Sequence, residues 1–200
     1  MLHRISIKLT RKMMKNLKRI ECGEEVYVYG MEIILSTMAG IFAILISALI
    51  FSVFVESVIF LSVFMTLRIF TGGYHAETYR KCFVCTVGLF WVSILIKNII
   101  MISGREGPWL SLLFASCIYI SLRAPVINKY QPLSDTKKMK NLKKSILVIW
   151  LYLFIIGWMF EHNQSLAYMM IVSIYDVGFL MIVDDFIHER GKELCRLLLS

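Results

Sequence analysis

The chain has 200 residues, 58% of them hydrophobic, a mean hydropathy of +0.70 and a net charge of +8. That is too apolar for a soluble globular domain, and the long unbroken apolar runs exclude an outer-membrane barrel, whose strands alternate apolar and polar residues. An all-α polytopic bundle in one membrane domain over residues 1–200 is expected, with no nucleic-acid partner, because the basic stretches flank spans and lack an interleaved aromatic platform.

Residues 1–20 place Leu2, Ile5, Leu9, Met13, Leu17 and Ile20 at helical spacing among seven Lys and Arg. This predicts an amphipathic helix on the inner membrane surface, within a basic arm of residues 1–22. The transmembrane bundle is predicted over residues 33–183. Ile33 to Val55 runs 23 residues without a charge between Glu32 and Glu56, and makes the first span. Ser57 to Leu67 is short of the ~20 residues a crossing needs, so it must extend to about Thr71 with Arg68 snorkelling. Cys82 to Ile102 is the third span, carrying Lys97 near one end, and Trp109 to Leu122 the fourth, again short. Ile146 to Phe160 and Ser165 to Val183 form a helical hairpin joined at Glu161-His162-Asn163-Gln164.

Six crossings with both termini cytoplasmic give a consistent charge ledger. The arm, the 68–81 loop, a basic loop at 123–144 and the tail at 184–200 hold 7, 3, 7 and 3 of the 22 basic residues, leaving only Lys97 and Arg105 outside. Pro125 and Pro132 block a continuous helix through the 123–144 loop. The five cysteines, Cys22, Cys82, Cys85, Cys117 and Cys195, show no secreted-framework spacing, and no structural disulfide is expected. The N-terminus lacks the contiguous apolar core and cleavage site of a removable signal peptide.

The segment from Thr71 to Cys82 carries the chemistry. It sets His75 and Cys82 seven residues apart, just after Gly72-Gly73, between two apolar segments. A thiol attacks carbonyls as thiolate, and a nearby imidazole can take its proton. On one unbroken helix the pair would be separated by about 10.5 Å along the axis, too far for a catalytic hydrogen bond of about 3 Å. His75 is therefore expected outside the helix that begins near Cys82, with the glycines supplying the turn. The start of that helix, with Arg80 and Lys81, favours the thiolate.

Arg68-Ile-Phe-Thr-Gly-Gly-Tyr-His75-Ala, followed by Cys82, resembles the signature of the accessory gene regulator B (AgrB) family. The basic arm, the order of spans, and Arg123-Ala124-Pro125 leading into a Lys-rich stretch fit the same family, so the resemblance extends over nearly the whole chain. It implies a membrane cysteine endopeptidase of a Gram-positive cell membrane, acting in quorum sensing. Such an enzyme removes the C-terminal part of a small AgrD-type propeptide and closes the core into a cyclic thiolactone or lactone. By position, His75 matches the catalytic histidine, Cys82 the nucleophile, and Arg68 an arginine of the motif. Cys85 has no counterpart in that motif, and Tyr74 fills a position that is often small. No cofactor is implied.

Other residues leave alternatives open. Arg68 either contacts substrate or oxyanion, or is an interfacial snorkelling arginine. His75, Cys82 and Cys85 are soft zinc ligands for which only Glu77 suggests a fourth. Asp176, in the last span, is an ionisable group where such groups are costly; it could orient His75 or pair with Arg68 or Lys97. Glu32 and Glu56 sit at span ends and require no special role. Lys137, Lys138 and Lys140 would complement an acidic substrate tail. The two short spans suggest burial against a second copy, hence a homodimer in the lipid bilayer. The competing class is a small transporter or membrane scaffold without protease activity.

Overall fold

The computed structural model describes residues 2–14, 23–72, 79–125 and 135–199, with side chains over 3–14, 23–72, 81–125 and 136–187. The described residues form seven α-helices and no strand: α1 (Leu2–Met14), α2 (Glu24–Ile50), α3 (Phe54–Thr71), α4 (Tyr79–Ser103), α5 (Glu106–Arg123), α6 (Asp135–His162) and α7 (Gln164–Leu199). Five segments, 24–50, 54–71, 81–103, 136–162 and 164–187, are long and apolar enough to cross a membrane. The 18-residue α5 is not among them. Contacts divide the chain into two compact units, one built of α1, α2 and residues 79–88 of α4, the other of α3, the rest of α4 and α5 to α7.

In the first unit α1 and α2 form an antiparallel pair. His3 Nδ1 lies 2.5 Å from Glu32 Oε1, Ser6 Oγ lies 3.2 Å from the same oxygen, Thr10 Oγ1 donates to Tyr27 O at 3.5 Å, and Arg11 Nε donates to Glu24 Oε1 at 2.8 Å. His3 to Arg11 thus runs against Glu32 to Glu24 with equal rise, about 12 Å on each helix. The predicted amphipathic helix is present over the described residues, but it docks on α2 through its polar side. Ser6 and Thr10 are fully buried, whereas Ile5, Leu9 and Met13 stay exposed. Hydrophobic periodicity marks the stripe but not its partner, and hydroxyls were small enough to let the helices approach. Glu32, read as a plain span end, is instead the buried carboxylate on which α1 closes.

In the second unit α7 is the axis, flanked by α3, α5 and α6. Side-chain pairs fix the directions. Glu106 accepts from Tyr168 at 3.1 Å, Tyr175 donates to the Trp109 carbonyl, and Asp185 accepts from Tyr119 at 2.6 Å and Arg123 at 2.9 Å. Residues 106–123 of α5 therefore run parallel to 168–185 of α7 at matched rise. Helix α4 runs against α3, pairing Lys97 with Glu56 and Phe90 with Phe60, and also against α7, pairing Ser93 with Asp176. The core between them holds Phe60, Phe64, Leu67, Phe90, Ile174 and Met181, with the Phe60 and Phe64 rings stacked at 5.1 Å. Burying a large side chain of this kind contributes about 1.5–3 kcal/mol relative to exposure in water.

Several boundaries differ from expectation, beginning with the start of the first span, at Glu24 rather than Ile33. The first span ends at Ile50, because Phe51 and Ser52 form a turn, with Ser52 at φ 57°, inside the charge-free run. Glu56 consequently falls in the first turn of α3, where a carboxylate is favoured by the helix dipole, and it meets Lys97 rather than ending a span. The second span runs to Thr71 as predicted. The Lys-rich end of the 123–144 loop is not loop: Lys137 to Lys144 are the opening turns of α6, since no breaker follows Pro132 and Lys, Met and Leu are good helix formers. The tail, too, continues α7 to Leu199. The hairpin is where predicted, with Asn163 alone separating α6 from α7 and its Oδ1 capping Leu166 N at 3.2 Å.

Candidate active site

Helix α3 stops because Gly72 adopts φ 70°, ψ −142°, a conformation open in practice to glycine alone. Its N–H donates to Arg68 O at 3.1 Å, closing the last turn. The predicted Gly-Gly break is therefore real at Gly72. One turn back, the Arg68 guanidinium lies 5.5 Å from the centre of the Phe64 ring, an i, i+4 cation–π contact on α3. Residues 73–78, which include His75 and Glu77, lie outside the described residues.

Helix α4 then begins at Tyr79, so Cys82 stands in its first turn, half-buried, near the helix start expected from the sequence. Its carbonyl accepts from Thr86 Oγ1 at 2.9 Å. Cys85, one turn on, is also half-buried, whereas Cys117 on α5 is buried. Among the described residues no group of three His, Cys, Asp or Glu is placed to hold a metal.

Asp176 is buried on α7 and its Oδ2 is 2.5 Å from Ser93 Oγ, which also donates to Leu89 O. Of its candidate partners, Lys97 is engaged elsewhere: Nζ donates to Glu56 Oε1 at 3.2 Å and to Ser165 Oγ at 3.1 Å, tying three helices together. Four residues of α4 separate Ser93 from Lys97 while eleven of α7 separate Asp176 from Ser165, about 6 Å against about 16 Å of rise. The lysine stem spans the difference by snorkelling toward the end of the bundle. This clasp was missed in the sequence, although a lone Lys and a lone Glu in neighbouring spans were its visible signal. Lys137, Lys138 and Lys140 are exposed along the first turns of α6.

The accessory gene regulator B family model matches residues 6–183. The chain belongs to this family. It is 29% identical over 168 residues to a protein of Clostridium perfringens strain 13, provisionally named AgrB-like protein 2, covering 78% of this chain and 75% of that relative. An AgrB-like protein of C. perfringens strain SM101, also provisionally named, is 27% identical with the same coverage. No solved structure matches the chain. Family membership places it among proteins with an agr-type processing role, as the Arg68–Cys82 segment led one to expect.

Proposed function

We propose that this protein is a membrane cysteine endopeptidase that cuts an AgrD-type propeptide and cyclises the core. Cys82 thiolate attacks the scissile carbonyl, the C–N bond breaks, and His75 delivers a proton to the leaving amine. The peptide is left as a thioester on Cys82. A thiol or hydroxyl within the bound peptide then gives its proton to the now neutral His75, attacks that carbonyl, forms the ring bond and expels the Cys82 thiolate. Ring closure outruns hydrolysis because the internal nucleophile acts at high effective concentration in an apolar, water-poor surround. Arg68 contacts a substrate carboxylate or the oxyanion, and Asp176, held by Ser93, supports the bundle that carries α4.

The observation that carries this reading is the family match over residues 6–183, within which Cys82 opens a helix just beyond the Gly72 stop. The proposed topology has six crossings with both termini cytoplasmic, in one membrane domain. Helix α5 runs parallel to residues 168–185 of α7 and its 18 residues measure about 27 Å, which supports counting it as the sixth crossing. The direct test is a purified reaction with the propeptide. A covalent, hydroxylamine-labile peptide adduct on Cys82 is expected, and Cys82→Ala should abolish both adduct and cleavage. Cleavage that persists in Cys82→Ala refutes the assignment.

A further inference from the structure

Helix α4 opens with two thiols, and the proposed reaction uses one. Cys82 and Cys85 are spaced C-x-x-C, both half-exposed, with Cys82 in the first turn. Helical geometry (about 1.5 Å of rise and 100° per residue at a radius of about 2.3 Å) sets their Cα atoms about 5 Å apart, inside the separation of about 4.4–6.8 Å that a disulfide bridges. Their Cβ atoms in a regular helix are about 5–6 Å apart, against about 3.8 Å in a disulfide. The turn must therefore adjust by one to two ångström (about the difference of those values). The 82–85 turn follows directly on the first turn of α4, near the end where helices fray most readily.

We propose that Cys82 and Cys85 form a reversible intramolecular disulfide, with Cys85 as the resolving thiol that keeps the nucleophile recoverable under oxidation by peroxide. The Cys82 thiolate attacks one peroxide oxygen and breaks the O–O bond; sulfur is oxidised by two electrons to a sulfenic acid, and the other oxygen leaves as hydroxide, which takes up the proton the thiol released on ionising and becomes water. The Cys85 sulfur then attacks that sulfenic sulfur, the S–S bond forms, and the hydroxyl leaves as water with the Cys85 proton. A dithiol reductant restores both thiols by exchange. Cys117, buried on α5, lacks the access this chemistry needs. The loss of processing that accompanies the disulfide rests on the reading of Cys82 as nucleophile; formation of the disulfide does not.

The test uses the full chain in lipid nanodiscs with Cys22, Cys117 and Cys195 changed to Ser, so that only the pair remains. Hydrogen peroxide is added, then quenched, and thiols are counted by maleimide mass-tagging. Alkylatable thiols should fall from two to none, the tryptic peptide Cys82–Lys97 should lose two hydrogens, and dithiothreitol should restore both. With Cys85→Ser, and equally with Cys85→Ala, peroxide should carry Cys82 to the sulfinic acid, and processing after dithiothreitol should recover at least about tenfold less than with Cys85 present. Two thiols that stay alkylatable at a peroxide concentration that oxidises Cys82 in Cys85→Ser would overturn the proposal. So would oxidation that yields only dimers on a non-reducing gel. If the disulfide forms while propeptide cleavage continues unabated, the pair stands and the catalytic reading of Cys82 falls.

Discussion

Replacing Lys97 by Met tests whether the clasp of α3, α4 and α7 is an interacting ion pair. Nζ sits 3.2 Å from Glu56 Oε1, Lys97 is 5% exposed and the Glu56 side chain 18%. At an effective dielectric of about 20, the attraction at that distance is about 5 kcal/mol, most of it offset by the desolvation of two ions. Removing one partner strands the other, which costs about 3–5 kcal/mol, and Ser165 loses a donor besides. Lys97→Met is therefore expected to destabilise by about 3–5 kcal/mol. Lys97→Met with Glu56→Leu, which removes both charges, should return to within ~1 kcal/mol of the parent. The assay is equilibrium unfolding in mixed micelles, read as a double-mutant cycle. Single and double losses that simply add would refute the pairing.

Three further outcomes follow from the structure. Gly72→Ala forces a side chain into φ 70°, ψ −142° and should cost about 1–3 kcal/mol, with a fall in propeptide cleavage read in the purified reaction. Phe90→Ala empties a fully buried site against Phe60 and should lower unfolding stability by about 3–5 kcal/mol. Reversing Lys137, Lys138 and Lys140 to Glu should raise KM for an acid-tailed propeptide about tenfold at low ionic strength and less at high, leaving kcat in place; an unchanged KM removes these lysines from substrate capture.

The helices were legible because length and apolar runs are sufficient for spans, and the Gly72 stop and a helix start near Cys82 could be read from glycine and motif alone. What stayed hidden was hidden for physical reasons. The turn at Phe51 and Ser52 lies in sequence as apolar as the helices it joins, so hydropathy has no contrast there. Glu56 looked like a boundary because its partner Lys97 is 41 residues away. Helix α1 advertised Ile5, Leu9 and Met13 yet closed on α2 through Ser6, which meets Glu32, and Thr10, which meets the Tyr27 carbonyl, a choice set by how near two backbones can come. Asp176 was recognised as a group needing a partner, but nothing in the linear chain pointed to Ser93. His75 lies in residues 73–78, outside the described residues, and with it the relation to Cys82 on which the proposed catalysis rests.

From Ala167 to Met181 every residue of α7 except Tyr175 and Phe179 is buried, whereas α6, packed beside it, has only 22% of its span covered. Acyl chains conform to whatever shape a peripheral helix offers, so one greasy residue there can replace another at little cost. Between Ala167 and Met181 the axial helix meets such a forgiving solvent only at Phe179 and, in part, Tyr175. A methyl gained at Val172 or lost at Ile174 is felt by protein neighbours on every side, and sequence drift in this bundle is expected to gather on the outer rods while the inner one changes only in step with its partners.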